Sequence, residues 1–240
     1  MTFFISTLIT IIINGLGSTT VLGGLDTKAL SDIYFSAITP AGFTFGIWPL
    51  IYIGLLALGV MILTKKITLP TTTLQRYILS CVLNSLRILI RQYQYLTLSL
   101  IVLRLLLWAL LMCYHTIKKN TQRYALVIKN VFLLYIWRVL VASLLITTIY
   151  LTHTAGAWFT DHTILYAIIA LSAGATLNTL FLWWEKTQVT TLVFLWALYG
   201  IYNGQTDEII QTTTMIIWLI MIIQLAFFLG HRLATKWLKS

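Results

Sequence analysis

Four polar residues follow one another at helical spacing inside an apolar stretch of the chain. Ser80, Asn84, Arg87 and Arg91 are separated by four, three and four positions. At 3.6 residues per turn they fall within about 60° of arc on one helix face. Guanidinium groups on such a face can hold a carboxylate or a phosphate, because each planar fork donates two parallel hydrogen bonds. The spacing therefore indicates an anion-binding stripe.

No carboxylate in the nearby sequence can neutralise these arginines. No Asp or Glu occurs between Asp32 and Asp161. A central arginine costs a membrane helix about 2.5–3.5 kcal/mol on insertion scales. One explanation is an interior cavity in which Arg87 binds an external anion. The alternatives are arginines that donate to backbone carbonyls and polar side chains, or that snorkel to an interface, as we expect for Arg91.

Two further arginines, Arg104 and Arg138, lie near the middle of other apolar segments. Thr97, Arg104, Trp108 and His115 form a similar stripe in the first of these segments. Polar stripes in a membrane normally face the bundle interior or a water-filled cavity, because lipid cannot satisfy them. We therefore expect this stripe to point inward.

Composition places all of these residues in a membrane protein. Of 240 residues, 59% are hydrophobic and only 9% are charged, against about 25% charged in a soluble domain. The N-terminal apolar segment lacks a basic flank and a cleavage site, so we expect a retained span rather than a signal peptide. An all-α integral membrane fold with about eight spans is predicted over residues 3–20, 43–63, 77–95, 97–117, 130–151, 162–184, 188–203 and 208–230.

The distribution of charge predicts the topology. With eight spans, eleven basic residues fall on one face, which is typical of the cytoplasmic side. The net charge of +10 is then explained by topology and by contact with the bilayer, not by a nucleic-acid partner. The protein is expected in a bacterial inner membrane, with both termini on the cytoplasmic side. The eleven residues are Lys65, Lys66, Arg76, Lys118, Lys119, Arg123, Lys129, Lys186, Arg232, Lys236 and Lys239, and the opposite face holds Asp26, Lys28, Asp32, Asp161, Asp207 and Glu208.

No arrangement of residues in the sequence predicts catalysis. Cys81 and Cys113 lie inside apolar segments and have no metal-ligand spacing with histidine. There is no Ser-His-acid order, no pair of intramembrane carboxylates and no glycine-rich phosphate loop after a strand. We therefore expect a protein that is not an enzyme and requires neither metal nor cofactor.

Residues 31–54, "SDIYFSAITPAGFTFGIWPLIYIG", resemble a segment of the tryptophan-rich sensory protein family, also called the translocator protein (TspO/MBR) family, in its longer bacterial branch. Three weaker matches follow in order. Asn84 in "CVLNSLR" resembles the asparagine of an Asn-x-x-Trp motif, "LLYIWRVLVAS" at 133–143 resembles a Tyr-x-x-Trp segment, and "LVFLWALYGI" at 192–201 resembles a span of the longer members.

The resemblance implies a five-helix membrane core over residues 1–151 and three additional helices over 152–240. The family core is associated with binding tetrapyrroles, sterols and synthetic hydrophobic ligands in a cavity beneath the loop between the first two spans. A porphyrin or haem-type molecule is therefore the ligand that the resemblance implies, and homodimerisation is left open. The residues that match the family site by position are Pro40, Phe45, Trp48, Tyr52, Asn84 and Tyr135.

The chain departs from the family pattern at three positions. Arg87 and Arg138 stand where the family has tryptophan, and Ile146 replaces an asparagine. Two indoles that would line an apolar pocket have thus become guanidiniums. We expect a membrane receptor or carrier for an amphipathic, anionic ligand, tetrapyrrole or lipid-like, with a transport or sensory role. The alternatives are a secondary transporter of small organic anions and a non-catalytic membrane scaffold. The predicted ligand-binding residues are Pro40, Phe45, Trp48, Tyr52, Asn84, Arg87, Tyr135 and Arg138.

Overall fold

The computed structural model describes residues 1–25, 27–119 and 124–237, and helix is the only regular secondary structure in these ranges. The all-α fold class is confirmed. Three charged residues used in the topology argument, Asp26, Arg123 and Lys239, lie outside the described ranges. The helices are α1 (Thr2–Gly17), α2 (Thr27–Ile33), a 3₁₀ helix (Gly42–Gly46), α3 (Ile47–Leu63), α4 (Thr71–Gln92), α5 (Leu96–Ile117), α6 (Ala125–Thr154), α7 (Ala157–Asp161), α8 (Thr163–Glu185), α9 (Val189–Gly204) and α10 (Glu208–Trp237).

The long helices are those of an integral membrane protein. In the described residues, five stretches are long and apolar enough to cross a membrane: Gly42–Leu63, Leu96–Ile117, Ala125–Thr154, Thr163–Glu185 and Glu208–Thr235. Helices α1 and α9 have 16 residues each, about 24 Å at 1.5 Å per residue, against a hydrocarbon core of about 30 Å. Helix α4 has 22 residues but carries three arginines. The count of eight spans stays a prediction.

Several helices extend beyond the apolar segments that predicted them. Helix α4 begins directly after Pro70, whose φ of −56° is compatible with a helix start, six residues before the predicted span at 77–95. Helix α6 covers Ala125–Thr154 where 130–151 was predicted. A helix continues into polar flanking sequence as long as its backbone hydrogen bonds remain. The apolar segments therefore predicted these helices to be shorter than they are.

Helix α6 is the centre of the bundle. It contacts α3 and α5 on one side and α8 and α9 on the other. Its Trp137 is fully buried, and the indole lies 5.4 Å from the Phe181 ring and 6.3 Å from the Phe194 ring, measured between centroids. The C-terminal helices therefore pack on the first group through a shared core. The division of the chain into 1–151 and 152–240 stays a prediction.

Helix α1 closes the opposite side of the bundle by packing on α3 and α4. The hydroxyls of Thr7 and Tyr77 lie 2.7 Å apart, and the Phe3 and Tyr77 rings stack at 3.9 Å between centroids. At the other end of α1, the side-chain amide of Gln92 donates to the carbonyl oxygen of Gly17. These contacts hold α1 against α4 along its length.

A charged cluster joins three helices at one end of the bundle. The Glu185 carboxylate at the end of α8 lies 2.7 Å from Lys118 Nζ and 2.9 Å from Lys129 Nζ. It also accepts a 2.6 Å hydrogen bond from the Tyr114 hydroxyl. Lys129 Nζ donates further to the Glu185 carbonyl oxygen at 2.8 Å. The cluster fixes the end of α8 against α5 and α6.

Candidate functional site

A cavity of about 650 Å³ lies between α1, α3, α4 and α6, beneath the segment that joins α1 to α3. Its volume is within the range of about 300–1,000 Å³ typical of small-molecule sites. Most of the lining is apolar. The aromatic and charged lining residues are Phe45, Trp48, Tyr52, Arg87, Arg91 and Arg138.

Three guanidinium groups face this cavity. Arg87 and Arg91 are one turn apart on α4, and Arg138 reaches the cavity from α6. Arg87 is only 5% exposed, and Arg91 and Arg138 are half-buried. Within the described residues, no hydrogen bond or ion pair joins any of the three to a protein group, and the Nε atoms of Arg87 and Arg138 are buried without an acceptor. The described protein groups therefore leave donors of these arginines unused.

An aromatic wall contributed by the start of α3 faces these arginines. The Trp48 and Tyr52 rings stack with centroids 5.6 Å apart, as expected for residues one helical turn apart. The Arg138 guanidinium carbon lies 5.0 Å from the Trp48 centroid and 6.0 Å from the Phe45 centroid. Cation–π attraction at these distances orients the guanidinium without using its hydrogen-bond donors. The wall therefore positions Arg138 and leaves it able to bind an anion.

The structure brings five of the eight predicted ligand-binding residues to the cavity surface, namely Phe45, Trp48, Tyr52, Arg87 and Arg138. Asn84 and Tyr135 are buried, at 0% and 2% exposure, and do not line it. Neither Asn84 side-chain amide atom has a hydrogen-bond partner within the described part of the chain. Pro40 lines a neighbouring cavity instead.

Four polar residues of the cavity were not among the predicted ligand-binding residues, namely Asn14, Ser18, Arg91 and Gln92. The sequence analysis placed Arg91 at an outer interface, whereas it lines the cavity one turn above Arg87. Asn14 and Gln92 also line it. The spacing of Arg87 and Arg91 was a sufficient signal for Arg91. For Asn14 no signal existed, because only the packing of α1 on α4 brings it there.

The expectation that the Arg104 stripe points inward is wrong. Thr97, Arg104, Trp108 and His115 are all exposed on α5. The opposite face of α5 carries the large apolar residues that pack in the core, such as Leu103, which is 1% exposed. That apolar face takes the interior position and turns the polar stripe outward. Arg104 Nη2 donates to Thr147 Oγ1 of α6, at 3.3 Å.

A second, smaller cavity of about 40 Å³ adjoins the first across α6. It lies between the 3₁₀ helix, α6, α8 and α9, and most of its lining is apolar. Arg138 lines both cavities, as do Ala142 and Leu145. The C-terminal helices thus extend the apolar surroundings of Arg138.

Helix α9 and the residue that follows it, Gln205, contact the segment 27–46, which lies over the main cavity and is called the cover below. The backbone N–H of Ala41 donates to the Gly200 carbonyl oxygen at 2.8 Å. The Gln205 amide donates to the Thr39 carbonyl oxygen at 2.7 Å, and Trp196 Nε1 donates to the Thr44 carbonyl oxygen at 3.1 Å. The cover contains Pro40 and Phe45 of the predicted site. It is therefore positioned by α9 and Gln205, which lie outside the predicted five-helix core.

Replacement of Gly204 by alanine tests this contact. A Cβ at Gly204 would lie 2.5 Å from the Ala41 nitrogen and 2.7 Å from the Thr39 oxygen. Both are backbone atoms and cannot rotate away, so we expect a loss of about 1–3 kcal/mol in the free energy of unfolding. Thermal unfolding in detergent should show a drop of about 2–4 °C for each kcal/mol lost.

Gly230→Ala in α10 is the matched control, because no atom lies within 4 Å of a Cβ built there. Its melting temperature should stay the same or rise slightly, since alanine favours helix over glycine. Equal melting temperatures for the two variants would show that the cover does not depend on close contact with α9.

The side chains around the cavity are of the types that proteins use in anion recognition. In the described part of the chain, no group of three or more His, Cys, Asp or Glu side chains could hold a metal ion. The cavity instead combines guanidinium donors, stacked aromatic rings and apolar surface. An amphipathic molecule with an anionic head presents the complementary groups.

Comparison with known proteins identifies the family. No curated protein and no solved structure matches the chain. A family model described as TSPO-like protein matches residues 1–228. The match includes the predicted core and almost all of the C-terminal helices, and it confirms the resemblance seen at residues 31–54. Because this match covers nearly the whole chain, it shows that the chain belongs to the TSPO-like protein family.

Proposed function

We propose that this protein binds an amphipathic, anionic ligand, such as a tetrapyrrole or a lipid-like acid, in the cavity between α1, α3, α4 and α6. Membership of the TSPO-like family suggests a membrane protein of ligand-binding or transport type. The observation that carries the anionic part of the proposal is the set of cavity-facing guanidiniums without protein partners. A buried, unpaired charge is costly, and a bound anion removes that cost.

The aromatic wall supports a ligand with a flat or extended apolar body. Trp48 and Tyr52 present a stacked pair of rings beside Arg138. An arginine can bond a carboxylate with its fork and stack its plane on an aromatic face. A tetrapyrrole offers both partners, since it has carboxylates on a planar ring.

We further propose that eight helices cross the membrane and that both termini face the cytoplasm. The Glu185 cluster supports this topology, because it joins the end of α5, the start of α6 and the end of α8. These three helix ends lie on one face in the eight-span arrangement. Cationic residues gather there, as the positive-inside rule requires.

The test is a tryptophan-fluorescence titration of the detergent-purified protein with a dicarboxylate porphyrin and with its dimethyl ester. Trp48 lines the cavity and is expected to report occupancy. The free acid should bind about tenfold more tightly than the ester, equivalent to about 1.4 kcal/mol. Arg87→Leu and Arg138→Leu should each remove most of that difference.

Arg104→Leu is the control, because Arg104 is exposed on α5 and does not line the cavity. This variant should keep the wild-type preference for the acid. If acid and ester bind equally to the wild type, or if Arg104→Leu loses the preference as well, the anionic ligand is not recognised by the cavity arginines.

A further inference from the structure

The number of positive charges in the main cavity constrains the charge of its ligand. Arg87 and Arg91 of α4 and Arg138 of α6 line the same cavity. A guanidinium stays protonated in proteins, so three positive charges share one cavity. The buried carboxylate of Glu185 is already paired with Lys118 and Lys129. Among the described residues, no Asp or Glu lines this cavity, so no described carboxylate neutralises the three guanidiniums there.

A ligand with one negative charge would leave most of this repulsion uncompensated. A single carboxylate has two oxygens with about four acceptor sites, and one guanidinium fork already uses two of these. Here the donors come from two helices, and Arg87 and Arg138 each bring a buried Nε without an acceptor. Donors that converge from different directions suit a group with more oxygens or with two acidic groups.

We propose that the cavity selects an amphiphile whose head carries at least two negative charges, as in a phosphate monoester or a pair of carboxylates. This inference rests on the proposed function and specifies the charge of its ligand. The apolar part of the molecule has a place beside the head, because Ile88, Leu145 and Ile146 line the same cavity. Arg138 also borders the smaller, mostly apolar cavity.

The experiment measures binding of dodecyl phosphate, its methyl ester and dodecanol by titration calorimetry in neutral maltoside micelles, with protein-free micelles as the blank. At about pH 8 the monoester carries nearly two negative charges, since its second pKa is about 6. The methyl ester carries one charge and the alcohol none. We expect the monoester to bind at least tenfold more tightly than the methyl ester.

One further ligand distinguishes a phosphate from a pair of carboxylates as the source of the charge. Dodecylmalonate has two carboxylates on the same chain, and binding like that of the phosphate would show that charge decides. Binding of the phosphate alone at this strength would show that the tetrahedral oxygens decide. Lowering the pH through about 6 should weaken binding of the monoester and leave the methyl ester unchanged, a measurement that needs no variant.

Variants locate the effect in the cavity. Arg87→Gln and Arg91→Gln should reduce the advantage of the monoester at least fivefold, while Arg104→Gln should keep it. Arg87→Lys serves where the glutamine variant does not fold, because it keeps the charge and loses the fork. It should bind both esters less tightly than the wild type and keep the preference for the monoester.

The outcomes separate this inference from the proposed function. Equal binding of monoester and methyl ester, both tighter than dodecanol, would overturn the requirement for two charges and leave an anionic ligand in place. Equal binding of all three would overturn both. Binding of inorganic phosphate as tight as that of dodecyl phosphate would keep the charge requirement and overturn the amphipathic ligand.

Discussion

Replacement of Arg87 by leucine is expected to raise the stability of the ligand-free protein while removing its preference for anionic ligands. Arg87 is 5% exposed and its Nε has no acceptor within the described residues. Leucine occupies a similar part of the site without a charge to desolvate. Since hydrophobic replacement of buried charges is often stabilising, we expect a gain of about 1–3 kcal/mol. Thermal unfolding in detergent without ligand measures it.

Arg76→Leu on the same helix is the matched comparison. Arg76 Nη1 donates to the Met112 carbonyl oxygen of α5 at 2.8 Å, so its loss should lower the melting temperature. If Arg87→Leu lowers it as well, Arg87 supports the fold and the binding proposal loses its main observation. A melting temperature that rises for Arg87→Leu and falls for Arg76→Leu would distinguish a binding arginine from a structural one.

The physical basis of this prediction is a conflict between stability and binding. A site that must receive an anion keeps unpaired cations before the ligand arrives, and the fold bears their cost. For Arg138, cation–π attraction to the Trp48 ring, which stacks on Tyr52, reduces that cost. No comparable aromatic contact is found for Arg87 among the described residues, which makes it the position where a neutral side chain gains most.

Replacement of Glu185 by glutamine is expected to cause the largest loss of stability. The substitution removes two ion pairs and leaves Lys129, with a side chain 21% exposed, without its carboxylate. Removing one partner of a buried pair costs about 3–5 kcal/mol. We expect about 3 kcal/mol, at the lower end, because the Lys118 side chain is 44% exposed and can be rehydrated. Denaturant titration in mixed micelles measures the free energy of unfolding.

Glu208→Gln provides the control, because Glu208 is exposed in the first turn of α10. Its effect should not exceed about 1 kcal/mol, the size of a helix-dipole interaction. Equal effects for the two glutamates would mean that the cluster at the end of α8 adds nothing beyond a surface charge.

The helical character and the existence of the long helices could be predicted from the sequence. Apolar segments of about 20 residues leave the chain little choice, since backbone groups in lipid must be satisfied within a helix. The spacing of Arg87 and Arg91 likewise placed both on one face of α4. Such features depend only on the spacing of residues along one helix, and this spacing is given by the sequence.

The direction in which a helix face points was decided by tertiary packing. Arg87 and Arg104 both occur in polar stripes, yet Arg87 is buried at a cavity and Arg104 is exposed. The difference arises from the neighbours: the apolar side of α5 is larger and takes the core, whereas α4 turns its stripe toward α1, α3 and α6. A spacing rule describes one helix and contains no information about these partners.

The sequence by itself determined a helical membrane chain, its family and the presence of unpaired arginines. Only the tertiary structure decided which of these arginines share a cavity, that Arg91 is one of them, and that α9 holds the cover through Gly200 and Gln205. Glu185 shows the reason most clearly. Its partners Lys118 and Lys129 are 67 and 56 residues away, and contacts between residues so distant in sequence follow from how whole helices pack.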